Sequence, residues 1–142
     1  MKKLLYKYYP PFINVYTVWL LYLLFFISFR NSDSSHFSIK PIPFDTIDEY
    51  FIVITYSKID FFKNIIGNIF LFSPYGFLGI LYPKLKKVGW FILTFFVIIN
   101  IVEFSQFYFK RGFADVDDVI LNTTGALVGY FIYRTLFYIK DR

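Results

Sequence analysis

Four long apolar stretches govern what this chain can become. Phe12 to Phe29 holds no charged residue, Phe61 to Tyr82 carries only Lys63, Val88 to Phe109 only Glu103, and Val119 to Ile139 only Arg134. Each has 18 to 22 residues, about what a helix needs to cross ~30 Å of hydrocarbon. A soluble fold of 142 residues has too little interior for a chain that is 57% apolar and 25% aromatic. The expectation is an all-α polytopic membrane protein with four transmembrane helices. The first apolar run is longer than a signal-peptide core and shows no small-residue cleavage pattern before Arg30. It reads as a retained signal anchor, so residues 1–38 form an anchor helix with an outer loop and residues 39–142 the membrane domain proper. There is no cysteine, which excludes disulfides, zinc-thiolate sites and thiol nucleophiles.

Charge sets an expected orientation. With four spans, the N-terminus, the loop at Pro83 to Lys87 and the C-terminus share one side. That side holds Lys2, Lys3, Lys7, Lys84, Lys86, Lys87, Arg134, Lys140 and Arg142 against the single acid Asp141. The opposite side holds six basic residues and eight acids. Basic residues in short loops stay cytoplasmic, which puts both termini inside and the acidic loops outside. The net charge of +5 lies beside spans, where it anchors the chain at an anionic leaflet; no nucleic-acid motif accompanies it. Tyr6, Tyr8, Tyr9, Tyr82, Trp90 and Tyr138 fall near the same inner boundary and suit an aromatic belt. Between the first two spans, Ile47, Tyr50, Phe51 and Ile54 sit at helical spacing with Asp48 and Glu49 opposite, the pattern of a short helix lying on the outer surface. His36 reads as a solvated loop residue.

Depth then locates the polar side chains, because a helix advances ~1.5 Å per residue. Asn64 and Asn68 occupy the first turns of span two, Glu103 and Gln106 the last turns of span three, and Asp118 and Asn122 the first turns of span four. All fall at a similar level near the outer surface, with Lys110, Arg111, Asp115 and Asp117 as a lid. Polar groups in a span persist only where they face protein or water, so the cluster is a candidate binding site. Gly125 and Gly129 continue the Asp118 and Asn122 face and allow close helix approach, as do Gly67 and Gly76 on span two; Pro74 is placed to kink that span. Plainer roles compete. The amides also serve as interhelical glue at about 0.6 kcal/mol each, and Asp115 or Asp117 as the N-cap of span four. Glu103 needs a partner or an elevated pKa at its depth, and Arg111 or Lys110 is the natural partner. Three carboxylates within four residues, with Glu103, also suit a hard divalent cation that in turn holds a phosphate, although no calcium-loop spacing is present. No cofactor is otherwise expected.

IKPIPFDTI at Ile39 to Ile47, NIIGNIFLFSPYGF at Asn64 to Phe77, EFSQ at Glu103 to Gln106 and DVDDVILNTTG at Asp115 to Gly125, in that order, resemble the VanZ-like family of membrane proteins. The resemblance runs from about Ile39 to Tyr133. It maps the family's motifs onto Pro43, Phe44, Asn64, Gly67, Asn68, Phe72, Pro74, Gly76, Glu103, Gln106, Asp115, Asp117, Asp118, Asn122 and Gly125, with Arg111 standing for the family's basic residue. Thr124 stands where the family more often has Leu. The resemblance implies a bacterial envelope protein associated with resistance to teicoplanin, a lipid-tailed glycopeptide that binds peptidoglycan precursors outside the membrane.

Three functions are open at this stage. The first is a non-enzymatic membrane protein that lowers susceptibility to lipoglycopeptides through an outward-facing polar site engaging a lipid-linked partner, such as a cell-wall precursor or the drug itself. The second is a membrane enzyme acting on a lipid-linked phosphate or head group, with Glu103 or Asp118 as base or metal ligand and Lys110 or Arg111 on the phosphate. No nucleophilic triad supports it, since Ser73 and Ser105 have only His36 as a possible base. The third is a subunit that packs against another membrane protein through its glycines.

Overall fold

Apolar runs of this length fold as helices, yet the second of the four is divided. The computed structural model describes residues 2–27, 39–53, 58–111 and 114–138, and the protein is all-α apart from one short ladder. Helix α1 covers Lys2–Tyr22 and closes in a π turn over Leu23–Ile27. After β1 (Ile39–Lys40) comes α2, Asp45–Val53. The second apolar run is divided into α3 (Lys58–Phe61), a π turn (Phe62–Ile66), α4 (Gly67–Phe72) and a 3₁₀ stretch (Ser73–Ile80). A further 3₁₀ turn, Pro83–Lys86, leads into α5, Val88–Tyr108. Strand β2 (Ala114–Asp115) precedes α6, Val116–Tyr133, which ends in a π turn over Arg134–Tyr138. Two helical stretches, Lys3–Phe26 and Val88–Tyr108, are long and apolar enough to cross a membrane.

Pro74 accounts for the break in the second run. Its ring nitrogen cannot donate, so Ser73 turns back instead, with both its N–H and its hydroxyl meeting the Phe70 carbonyl. The carbonyls released nearby find donors on α1: Tyr16 donates to the Leu71 oxygen at 2.7 Å and Tyr9 to the Pro74 oxygen at 2.9 Å. This changes the role of the first helix. It starts ten residues before the expected Phe12, runs through Pro10 and Pro11, and turns Tyr9, Ile13 and Leu20 into the interior. Tyr9 is therefore a buried packing residue rather than part of the expected belt, while Tyr8, Tyr82 and Trp90 are exposed. The belt position Tyr138 and the loop containing His36 lie outside the residues whose side chains are described.

The core joins Leu20, Phe72, Phe91, Phe95, Val119 and Tyr130. Tyr130 stacks on Phe91 with ring centres 4.9 Å apart, and its hydroxyl donates to the Lys86 carbonyl. Helix α6 lies against α4 and the 3₁₀ stretch at backbone contact. A methyl group on Gly125 would meet the backbone of Ile69, one on Gly129 that of Ser73, and one on Gly76 that of Gly129 and Tyr130. Gly67 plays no such part, since the nearest atom to a methyl there is the Phe62 oxygen of its own helix at 3.7 Å. Helix α2 does not merely rest on a surface: Ile47 and Tyr50 pack on Phe61, Ile65 and Leu121. Phe51 meets the edge of Phe61 and remains over half exposed, and Ile54 lies outside the described residues.

Helix α5 ends in a Schellman turn. The Arg111 N–H reaches the Gln106 carbonyl and the Lys110 N–H that of Phe107, with Lys110 at φ 54°. This turn reverses the chain and delivers residues 114–118 to the same end of the bundle as Glu103.

Candidate functional site

Residues 39–47 carry Lys40, Asp45 and Thr46, and residues 114–118 carry Asp115, Asp117 and Asp118; the fold joins the two segments. β1 and β2 pair in parallel, Ile39 opposite Ala114 and Lys40 opposite Asp115. Asp115 is the N-cap of α6: its Oδ1 accepts the Asp117 N–H at 2.9 Å, while Oδ2 accepts the Thr46 hydroxyl at 2.7 Å. Lys40 Nζ in turn donates to Thr46 Oγ1 at 3.3 Å and to Glu49 Oε2 at 3.4 Å.

Asp117 caps a different helix. Phe44, just before α2, has no side-chain acceptor and is held at φ 70°, an unusual conformation for a bulky residue. The fully buried Asp117 carboxylate supplies what is missing, accepting the Phe44 N–H on Oδ1 at 2.6 Å and the Ile47 N–H on Oδ2 at 3.0 Å. A side chain from α6 thus does for α2 what its own N-cap residue cannot.

The predicted cluster therefore separates by role. Asp115 and Asp117 are spent holding α2 and β1. Gln106 turns away from them and donates to the Leu24 carbonyl at 3.0 Å, tying α5 to the end of α1. Arg111, expected beside Glu103, lies over the Phe26 ring at 5.6 Å. Asn64 is half-buried within the π turn after α3. Asn68, Glu103, Asp118 and Asn122 remain outside these contacts. Asn68 Nδ2 donates to Asp118 Oδ1 at 3.2 Å. Glu103 is 7% exposed and feels the like charges of Asp118 and Asp115, as expected where α5 packs on α6 and β2. Glu103 makes no hydrogen bond or ion pair with another described residue. Asn122, one turn beyond Asp118 on α6, is 3% exposed and its Oδ1 has no partner among the described residues.

Among the described residues no group of three or more acids is placed to hold a metal ion. The reason is visible in the bonding, because two of the four carboxylates already accept from backbone N–H groups. Sequence reasoning missed Lys40 and Thr46. Both lie in the IKPIPFDTI string, and a buried threonine at 7% exposure next to a strand pairing is not marked by periodicity.

A family model described as VanZ/LLP1 matches residues 13–138, starting inside α1. Protein VanZ of Enterococcus faecium is 35% identical over 74 residues. That match takes in 51% of this chain and 45% of the relative, so the chain aligns with about half of that protein's length. No solved structure matches.

Proposed function

This chain belongs to the VanZ/LLP1 family, and from that premise we propose that it is an integral protein of the bacterial cell membrane that lowers susceptibility to lipoglycopeptides such as teicoplanin, by engaging a lipid-linked partner at an outward-facing polar site. The observation that carries this reading is the buried Glu103 beside the half-buried Asp118, set at one end of a bundle whose flanks are apolar. Those flanks support four membrane-embedded segments. Val15 and Val18 on α1, Phe62 and Phe70 on the broken helix, Ile101 and Phe104 on α5, Phe131 on α6 and Leu136 in the π turn after it are all large, apolar and exposed. Surfaces of that kind belong against lipid rather than water. The charge pattern of the loops puts both termini in the cytoplasm and the Glu103 end outside.

A cleft of about 340 Å³ between α1, the 3₁₀ stretch and α5 adds to this reading. Its lining includes Leu20, Phe95, Ile99 and Val102, with Asn14 and the hydrogen-bonded pair Thr17 and Tyr75 among its polar members. It is suited to the hydrocarbon portion of a partner whose polar portion meets the acids.

Two experiments test the proposal. The chain has no native cysteine, so single introduced thiols report topology cleanly. Asp48→Cys should react with a membrane-impermeant maleimide in intact cells, and Lys84→Cys only after the cells are opened; both positions are exposed. The reverse pattern would invert the site and end the outward-facing reading. In a Gram-positive host, the intact chain should raise the inhibitory concentration of teicoplanin with little effect on vancomycin. A Glu103→Gln/Asp118→Asn variant at equal membrane abundance should lose most of that protection. Equal susceptibility with and without the intact chain would refute the protective role.

A further inference from the structure

We infer that Glu103, Asp118 and Asn122 form a binding site for a primary ammonium group. The inference names the ligand chemistry of the site proposed above and in that respect rests on that reading. It follows from counting donors and acceptors. Asn68 spends one amide N–H on Asp118 Oδ1, and Asp115 and Asp117 are fully engaged by Thr46 and by backbone N–H groups. The acceptors left unspent are the Glu103 carboxyl oxygens, the second Asp118 oxygen and Asn122 Oδ1. Two of the three side chains are more than nine-tenths buried. Asn122 Oδ1 is an orphan among the described residues, and it lies on the Asp118 face of α6 by its i, i+4 spacing.

Buried acceptors and unpaired carboxylates are costly, and an occupant that supplies donors and positive charge offsets that cost. Among the described residues, the cation whose charge reaches Asp118 is Lys40, but its Nζ is directed to Thr46 and Glu49. A primary ammonium brings one positive charge and three N–H donors, matching Glu103, Asp118 and Asn122 one for one. A quaternary ammonium brings the charge and no donor. Asp118 is only partly buried, so the cluster opens at that residue, where an amine from a lipid head group or from a soluble molecule has access.

The test is the thermal stability of the purified full-length protein in detergent, because a ligand that binds only the folded state raises Tm by mass action. Hexylamine is expected to raise Tm by about 3 °C or more near saturation; hexanol and hexyltrimethylammonium are expected to leave it unchanged. Short-chain phosphatidylethanolamine and phosphatidylcholine repeat the comparison on a lipid. A response to both amines assigns any primary ammonium, and a response to phosphatidylethanolamine alone assigns the head group. Glu103→Gln/Asp118→Asn should abolish the response. The wild-type series decides the matter even where the variant does not fold. Equal shifts with hexylamine and hexanol, a shift with calcium or magnesium chloride but not with amines, or an amine response that survives in the double variant would each overturn the inference. The two readings also fail separately. An amine response without protection against teicoplanin upholds the site chemistry and removes the protective role, whereas protection without any amine response removes the site chemistry alone.

Discussion

Asp117→Ala should detach α2 from the bundle and cost about 4 kcal/mol of stability. Hydrogen bonds to a charged group contribute about 1.5 to 3 kcal/mol each, and Asp117 accepts two of them, from Phe44 and Ile47. Its removal deprives both N–H groups of their acceptor, and it releases Phe44 from a backbone conformation that a bulky residue rarely holds unaided. The loss is visible in two ways: a lower unfolding temperature in detergent, and faster proteolysis within residues 39–53. Asp115→Ala should cost less, since it removes one N-cap bond and the Thr46 contact, about 1 to 2 kcal/mol. Asp118→Asn should be close to neutral for the fold. Its bond from Asn68 is to a side chain rather than to backbone, and neutralising it relieves repulsion with Glu103. An order in which Asp118→Asn destabilised more than Asp117→Ala would mean that the clamp and the candidate site have been assigned the wrong way round.

The second large effect concerns the helix crossing. Gly129→Ala places a methyl group on the Ser73 backbone, where no rotamer change makes room, so α6 and the 3₁₀ stretch have to separate. Overpacking of a core ordinarily costs about 1 to 3 kcal/mol, and backbone against backbone puts this position at about 3 kcal/mol or beyond. The same substitution at Gly67, where the nearest atom is at 3.7 Å, and at Gly89, where nothing lies within 4 Å, should stabilise by up to about 1 kcal/mol through helix propensity. Unfolding temperatures of the three variants, measured side by side, check the contrast. A Gly129→Ala protein as stable as the Gly67→Ala protein would show that the crossing is looser than its geometry.

Much of this architecture was legible beforehand. Uninterrupted apolar runs predict helices, and the position of Pro74 predicts where one of them breaks, because a missing N–H has a local consequence. Asp115 as a cap follows from its place before an apolar run. The family, too, was readable from four short strings in order. The role of the first helix was not. Its tyrosines look like a membrane-interface belt in a linear reading, and only the carbonyls freed around Pro74 reveal why Tyr9 and Tyr16 point inward.

The chain alone thus determined which segments are helical and how far along each helix every polar residue lies, since rise per residue converts sequence position into depth. It also identified Gly125 and Gly129 as points of close approach. The tertiary structure alone decided which polar groups at that depth meet. Phe44 and Asp117 are 73 positions apart, Gln106 and Leu24 are 82 apart, and no periodicity relates them. Hydrogen bonding is short-ranged and directional, so a carboxylate is structural or available for a ligand according to its neighbours in space. By that criterion Asp115 and Asp117 hold the fold, while Glu103, Asp118 and Asn122 keep acceptors to offer.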